Sequence, residues 1–338
     1  MTTVLQTEDL KVHHKTPRGM LRAVDGITIH VDAGETLGLV GESGCGKSTL
    51  ARCIVGISQP TEGKLTLDGV QDEGKGINRF ARARAVQMVF QDPSGALNPR
   101  LSVGRIIEEP LMVHRIGSKR ERRKRVEEIA KQVGLASYHL KRFPHEMSGG
   151  QRQRVSIARA LALEPSLLVC DEAVSALDVS VQAQVLNLFI DLQKRLGLAY
   201  LFISHDLAVV RYISHRIAVM YLGRIVEIGP AEAVWSRRNH PYTRALINAI
   251  PDHAVGKDKV ELLEGDVPSP VNPPSGCTFR TRCPFARERC AAEAPALRDR
   301  GGGLQVACHF AEEIEASNGV DQTHLADSAT AKEVRCAS

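Results

Sequence analysis

The sequence has no uninterrupted apolar run approaching about 18 residues, so no segment reads as a membrane-spanning helix. Its opening stretch, Met1 to Leu10, has neither the basic nor the apolar region that directs secretion, which predicts a cytoplasmic chain. An excess of one charge is also lacking. The 44 Lys and Arg residues stand against 39 Asp and Glu, and a net +5 spread along the chain argues against nucleic acid or anionic lipid as a partner. Sustained heptads are absent, which excludes a long coiled coil. What remains is 338 residues of ordinary soluble composition, enough for one large domain with appendages.

Eight cysteines without a secretory signal point away from a disulfide framework. Cys45, Cys53 and Cys170 occupy motif positions where a small apolar residue fits, whereas Cys277, Cys283, Cys290 and Cys308 crowd into one segment. Their spacing, C-x5-C-x6-C-x17-C, lacks the tight CxxC knuckle of most zinc sites. In a cytosolic chain such a cluster favours metal ligation over free thiols.

Strand-like alternation runs from Val4 to about Val40, with a turn at Asp32-Ala33-Gly34, and further strands are expected at Lys64–Asp68 and Ala85–Phe90. Ser118 and Glu121 form a capping-box pattern, followed by Val126, Ile129, Ala130 and Val133 on one helical face. The basic run Lys119 to Arg125 is its solvated side. Next come a helix through Ala162, a buried strand Ser166–Cys170, a helix from about Val181 to Leu196, and a strand Ala199–Ser204. Strands alternating with helices imply a mostly parallel sheet covered on both faces. Beyond Gly229 the composition shifts. Pro268, Pro270, Pro273, Pro274 and Gly276 predict an irregular segment, and from about Ala311 a polar, alanine-rich tail is expected to be disordered.

Gly41, Glu42, Ser43, Gly44, Cys45, Gly46, Lys47 and Ser48, with Thr49 behind them, match the phosphate-loop pattern between a strand and a helix. Successive amides and the helix N-terminus cradle phosphates, Lys47 reaches the β and γ phosphates, and Ser48 coordinates magnesium. The strand ending Cys170-Asp171-Glu172 supplies two carboxylates. Asp171 is placed to hold the metal, and Glu172 to polarise an attacking water. Gln91, after the Ala85–Phe90 strand, has a side chain able to touch magnesium or that water. His205, after Tyr200–Ser204, can donate to a γ-phosphate. Ser148, Gly149, Gly150 and Gln151 open a polar helix and form a second backbone surface suited to phosphate, so the chain carries two half-sites.

The order phosphate loop, Gln91, Ser148-Gly-Gly-Gln151, Asp171-Glu172, Ser175-Ala-Leu-Asp178 and His205 resembles the nucleotide-binding subunit of ABC transporters from about Val4 to Gly229. His240-Pro-Tyr-Thr-Arg-Ala-Leu246 and the proline- and cysteine-containing segment are similar to the extension of the dipeptide/oligopeptide importer ATPases. The resemblance implies an α/β fold: a P-loop (RecA-like) ABC ATPase core over 4–230 with an antiparallel β subdomain and a helical signature subdomain over about 94–165. A small irregular extension with the cysteine cluster follows over 231–310, and a disordered tail over 311–338.

The resemblance also implies an ATPase using ATP and Mg2+, with Ser48, Gln91 and Asp171 as magnesium ligands, Glu172 as catalytic base and His205 as switch residue. Ser148, Gly149, Gly150 and Gln151 would contact the ATP held by a second ATPase subunit, usually a different chain. Two transmembrane permease subunits would dock on the helical region, and an external solute-binding protein would deliver cargo, leaving this chain peripheral on the cytoplasmic face of the membrane. Cargo stays open among peptides, nickel, glutathione, opines and sugar-derived solutes. The thiols of Cys277, Cys283, Cys290 and Cys308 are implied to bind a [4Fe-4S] cluster, with zinc as the other metal. For the aromatic that stacks on adenine in this family, the sequence offers His13 and His14. A soluble ABC ATPase acting on ribosomes or DNA is the alternative. Its relatives carry tandem ATPase domains or an inserted coiled coil, and this chain has one motif set.

Overall fold

A computed structural model describes residues 2–72, 78–250 and 265–317. The strands are β1 (Thr3–Thr16), β2 (Gly19–Asp32), β3 (Thr36–Val40), β4 (Glu62–Leu67), β5 (Val70–Gln71), β6 (Val86–Val89), β7 (Leu167–Asp171) and β8 (Ala199–Ser204). Four more follow: β9 (Arg216–Tyr221), β10 (Arg224–Pro230), β11 (Arg298–Asp299) and β12 (Gln305–Val306). They form two sheets. An antiparallel one has the order β2-β1-β4-β5, and the main one β11-β12-β10-β9-β3-β8-β7-β6.

In the main sheet β6, β7, β8, β3 and β9 run parallel. Side-chain alternation sorts them between two cores. Leu168, Cys170, Tyr200 and Phe202 enter one cluster, while Leu167, Val169, Leu201 and Ile203 enter the other. The first cluster is covered by helices Val103–Val113, Lys119–Gln132, Gly149–Leu161 and Val179–Leu196; the second by helix Lys47–Ile54 and the antiparallel sheet. The capping box at Ser118 and Glu121 starts helix Lys119–Gln132, whose Val126, Ile129 and Ala130 are buried.

The stretch holding Pro268, Pro270, Pro273, Pro274 and Gly276 has irregular backbone, as expected. The extension also joins the main sheet: β12 pairs antiparallel with β10, β11 pairs with β12, and Ala307 N–H donates to Val226 O at 2.8 Å. Trp235, Tyr242, Phe279, Leu304 and Val306 are buried in the first core. Without them β10 would be an open edge with exposed apolar neighbours. The first residues of the expected tail have regular structure. Ala311–Ser317 is helical, because Ala311 and Ile314 are buried and Glu315 pairs with Arg237 and Arg300. Residues 318–338 lie outside the described residues.

Candidate active site

At the end of β3 the chain turns through Gly41 to Gly46 into helix Lys47–Ile54. Gly46 has φ +109°, and a Cβ there would stand 2.0 Å from the Ala23 carbonyl oxygen, so only glycine fits. Lys47 is buried. Its Nζ donates to Gly41 O at 2.7 Å and Glu42 O at 2.9 Å, which folds the loop around the ammonium. Burial pushes the neighbouring Cys45 thiol upward, so it stays protonated and acts as an apolar filler.

Parallel strands end side by side, and the site is built on that fact. Gln91 follows β6, Glu172 follows β7, and His205 follows β8. Gln91 Nε2 donates to Glu172 Oε2 at 2.9 Å, and His205 Nδ1 lies 3.3 Å from Glu172 Oε1. Glu172 has φ +50°, an uncommon backbone for a non-glycine residue, held by its N–H donating to Ile203 O at 2.9 Å. Asp171 Oδ1 accepts from Ser48 Oγ at 3.1 Å. Burial raises the Asp171 carboxyl above the usual carboxylate range, and the Ser48 hydrogen bond opposes that shift. A half-buried acid beside a hydroxyl is a hard-oxygen donor pair of the kind magnesium takes.

Glu172 shares one cleft with Ser43, Gly44, Cys45, Gly46, Lys47, Ser48 and Thr49. The opposite wall is Leu21, Arg22, Ala23, Leu222, Gly223 and Pro270. Neither candidate histidine is there. His13 Nε2 sits 3.0 Å from Asp25 Oδ1, and Asp25 also accepts from Arg224, while His14 is exposed on β1. The wall facing the loop carries no aromatic ring, and Pro270 in it comes from the C-terminal extension.

Ser148, Gly149, Gly150 and Gln151 are not among the residues lining this cleft. Ser148 caps helix Gly149–Leu161 reciprocally: its N–H donates to Gln151 Oε1 at 3.0 Å, and its Oγ accepts from Gln151 N at 3.3 Å.

Two residues without a sequence-level role reach the phosphate loop. Tyr242 OH accepts from Glu42 N at 2.7 Å, and Arg282 donates through both terminal nitrogens to the Glu42 carboxylate at 2.7 and 3.0 Å. Their separations in sequence, 200 and 240 residues, leave no local signal for these contacts.

Cys277, Cys283, Cys290 and Cys308 line one small pocket together with His240, Phe279 and Phe310. Burial, with added repulsion from neighbouring thiols, pushes Cys283 up to about 12 and Cys308 up to about 11. As they stand, no three or more His, Cys, Asp or Glu side chains among the described residues are gathered closely enough to hold a metal ion.

Comparison with known proteins adds the following. Residues 24–175 match the family model described as ABC transporter, and residues 226–290 match the one described as oligopeptide/dipeptide transporter, C-terminal region. The probable peptide ABC transporter ATP-binding protein y4tS of Sinorhizobium fredii is 50% identical, over 98% of this chain and 96% of its own length. The oligopeptide transport ATP-binding protein OppF of Escherichia coli is 51% identical, over 87% of this chain and 92% of its own. Among solved structures, the dimeric post-hydrolysis state of the ATP-binding cassette MJ0796, bound to ADP and Pi, matches with a TM-score of 0.60 and 29% identity. That match covers 67% of this chain and 98% of the other.

Proposed function

The chain belongs to the ABC transporter family, and on that premise we propose that it is the ATP-hydrolysing subunit of an importer of dipeptides or oligopeptides. Peptide cargo is supported by the names of its relatives and by the match of residues 226–290 to a peptide-transporter C-terminal region. The same match weighs against a soluble ATPase acting on ribosomes or DNA. No helix among the described residues is long and apolar enough to cross a membrane. In this reading, which the importer relatives support, the chain works with two permease subunits, docked on the helical region 94–165, and sits peripherally on the cytoplasmic face. A solute-binding protein on the other side delivers cargo.

The observation that carries the ATPase reading is Glu172, held between Gln91 and His205 in the cleft that Lys47 floors. In this reading the loop amides and Lys47 bind the phosphates, Glu172 takes the proton of the attacking water, and His205 donates to the γ-phosphate as charge develops. A magnesium ion, with Ser48, Gln91 and Asp171 as its ligands, would neutralise charge between the β and γ phosphates. Ser148 to Gln151 serve the nucleotide of a second ATPase subunit, which their absence from this chain's own cleft supports. Glu172→Gln should leave ATP binding intact and accumulate an ATP-bound dimer, while hydrolysis falls by about two orders of magnitude or more. Single-turnover kinetics with near-normal cleavage would remove Glu172 from the base role.

We propose a [4Fe-4S] cluster on the four thiols that line the small pocket, which would draw them closer together than they stand. Cys277, Cys283, Cys290 and Cys308 would hold it, and they line the pocket without a carboxylate among them. Bound iron would clamp a segment poor in apolar side chains. Iron and acid-labile sulfide should be present in anaerobically purified protein, with a broad visible absorption. A featureless spectrum without iron would sink the cluster.

A further inference from the structure

Glu42 is held from three directions. Its N–H donates to the Tyr242 hydroxyl at 2.7 Å, its carboxylate receives both terminal nitrogens of Arg282, and its carbonyl accepts from Lys47 Nζ at 2.9 Å. Both outside partners belong to the C-terminal extension, and both are rigid. Tyr242 is fully buried with its ring 4.8 Å from Tyr221 and 5.5 Å from Phe279, and the Arg282 side chain is 5% exposed. A two-pronged guanidinium–carboxylate contact fixes direction as well as distance. The carbonyl that Lys47 uses is thus set by residues 200 and 240 positions away. Pro270 O of the same extension accepts from Arg22 N at 3.3 Å, and Pro270 lines the same cleft.

We propose that the C-terminal extension is a working part of the nucleotide site: Arg282 and Tyr242 are positioning residues that hold Glu42 and hence the phosphate loop in its ATP-binding shape. This rests on the reading of the Lys47 cleft as the ATP site. Because the loop is held in the free protein, losing the anchor weakens ATP binding in ground and transition states alike.

The test uses the full chain, with affinity for a fluorescent ATP analogue in the presence of Mg2+ measured alongside steady-state hydrolysis. Arg282→Met should raise both Kd and KM for ATP about tenfold and change kcat much less, with Arg282→Lys recovering part of the loss. Glu42→Gln should reproduce the effect, and the double variant should be no worse than the worse single one. An unchanged KM, or penalties that multiply in the double variant, overturns the proposal. A purely structural Arg282 would lower thermal stability without this shared KM effect. Should Arg282→Met fail to fold, Tyr242→Phe removes one hydroxyl and keeps the ring, and it should raise Kd about threefold; an unchanged Kd overturns the proposal equally. The parent reading fails separately, if the unaltered chain does not bind the analogue or Lys47→Ala binds it as well.

Discussion

Glu227 is fully buried on β10, where its carboxylate oxygens accept from Asn239 N at 3.0 Å and His240 N at 3.1 Å. Burial dominates those hydrogen bonds and pushes the carboxyl up to about 7. His240 beside it is moved the other way by burial, down to about 3, and stays neutral. A carboxyl whose folded pKa is raised contributes stability that is complete below the ordinary value and lost as pH rises towards the folded one. Thermal stability should therefore fall between about pH 4.5 and pH 7 through this residue. Glu227→Gln should flatten that slope, as scanning calorimetry at several pH values would show; an unchanged slope would place the pH dependence elsewhere. At the proposed catalytic positions the sequence named Lys47, Ser48, Gln91, Asp171, Glu172 and His205 from short motifs, and Ser48 meets Asp171 while Gln91 and His205 meet Glu172 because these residues lie at or after strand ends. His13 was legible only as a ring near the N-terminus. Its partner Asp25 lies across a hairpin register that the sequence does not print.

In the proposed assembly, helix Gly149–Leu161 is the element that meets the second ATPase subunit. Its capping box pairs the Ser148 and Gln151 amides with each other's side chains, which fixes the start of the helix at Ser148 and the two glycines. Ser148→Arg removes the cap, at a cost of about 1 kcal/mol, and places a long cation where a partner's phosphate would come. In a mixed dimer with one altered subunit, hydrolysis should fall more at the partner's phosphate loop than at the altered chain's own. Equal loss at both sites would contradict service in trans. Parallel strands β3, β6, β7 and β8 were readable because strands buried on both faces are continuous apolar runs bounded by turns. β11 and β12, two residues each, carry no such periodicity, and neither does the helix Ala311–Ser317.

Over the whole molecule, the sequence by itself determined which side chains gather around the Lys47 cleft and the alternation of strands and helices that builds it. Both are written in contiguous residues: glycines where backbone must approach backbone, a lysine and serine at a helix start, acids at a strand end. Only the tertiary structure decided that residues after Pro230 complete the main sheet rather than trail from it, and that Tyr242 and Arg282 grip Glu42. Proline, glycine and cysteine content predicted irregular backbone there, but composition is silent on what that backbone packs against. The edge of β10 and the apolar faces of Tyr221 and Val226 needed cover, and long-range burial, which leaves no period in the chain, chose which segment supplies it.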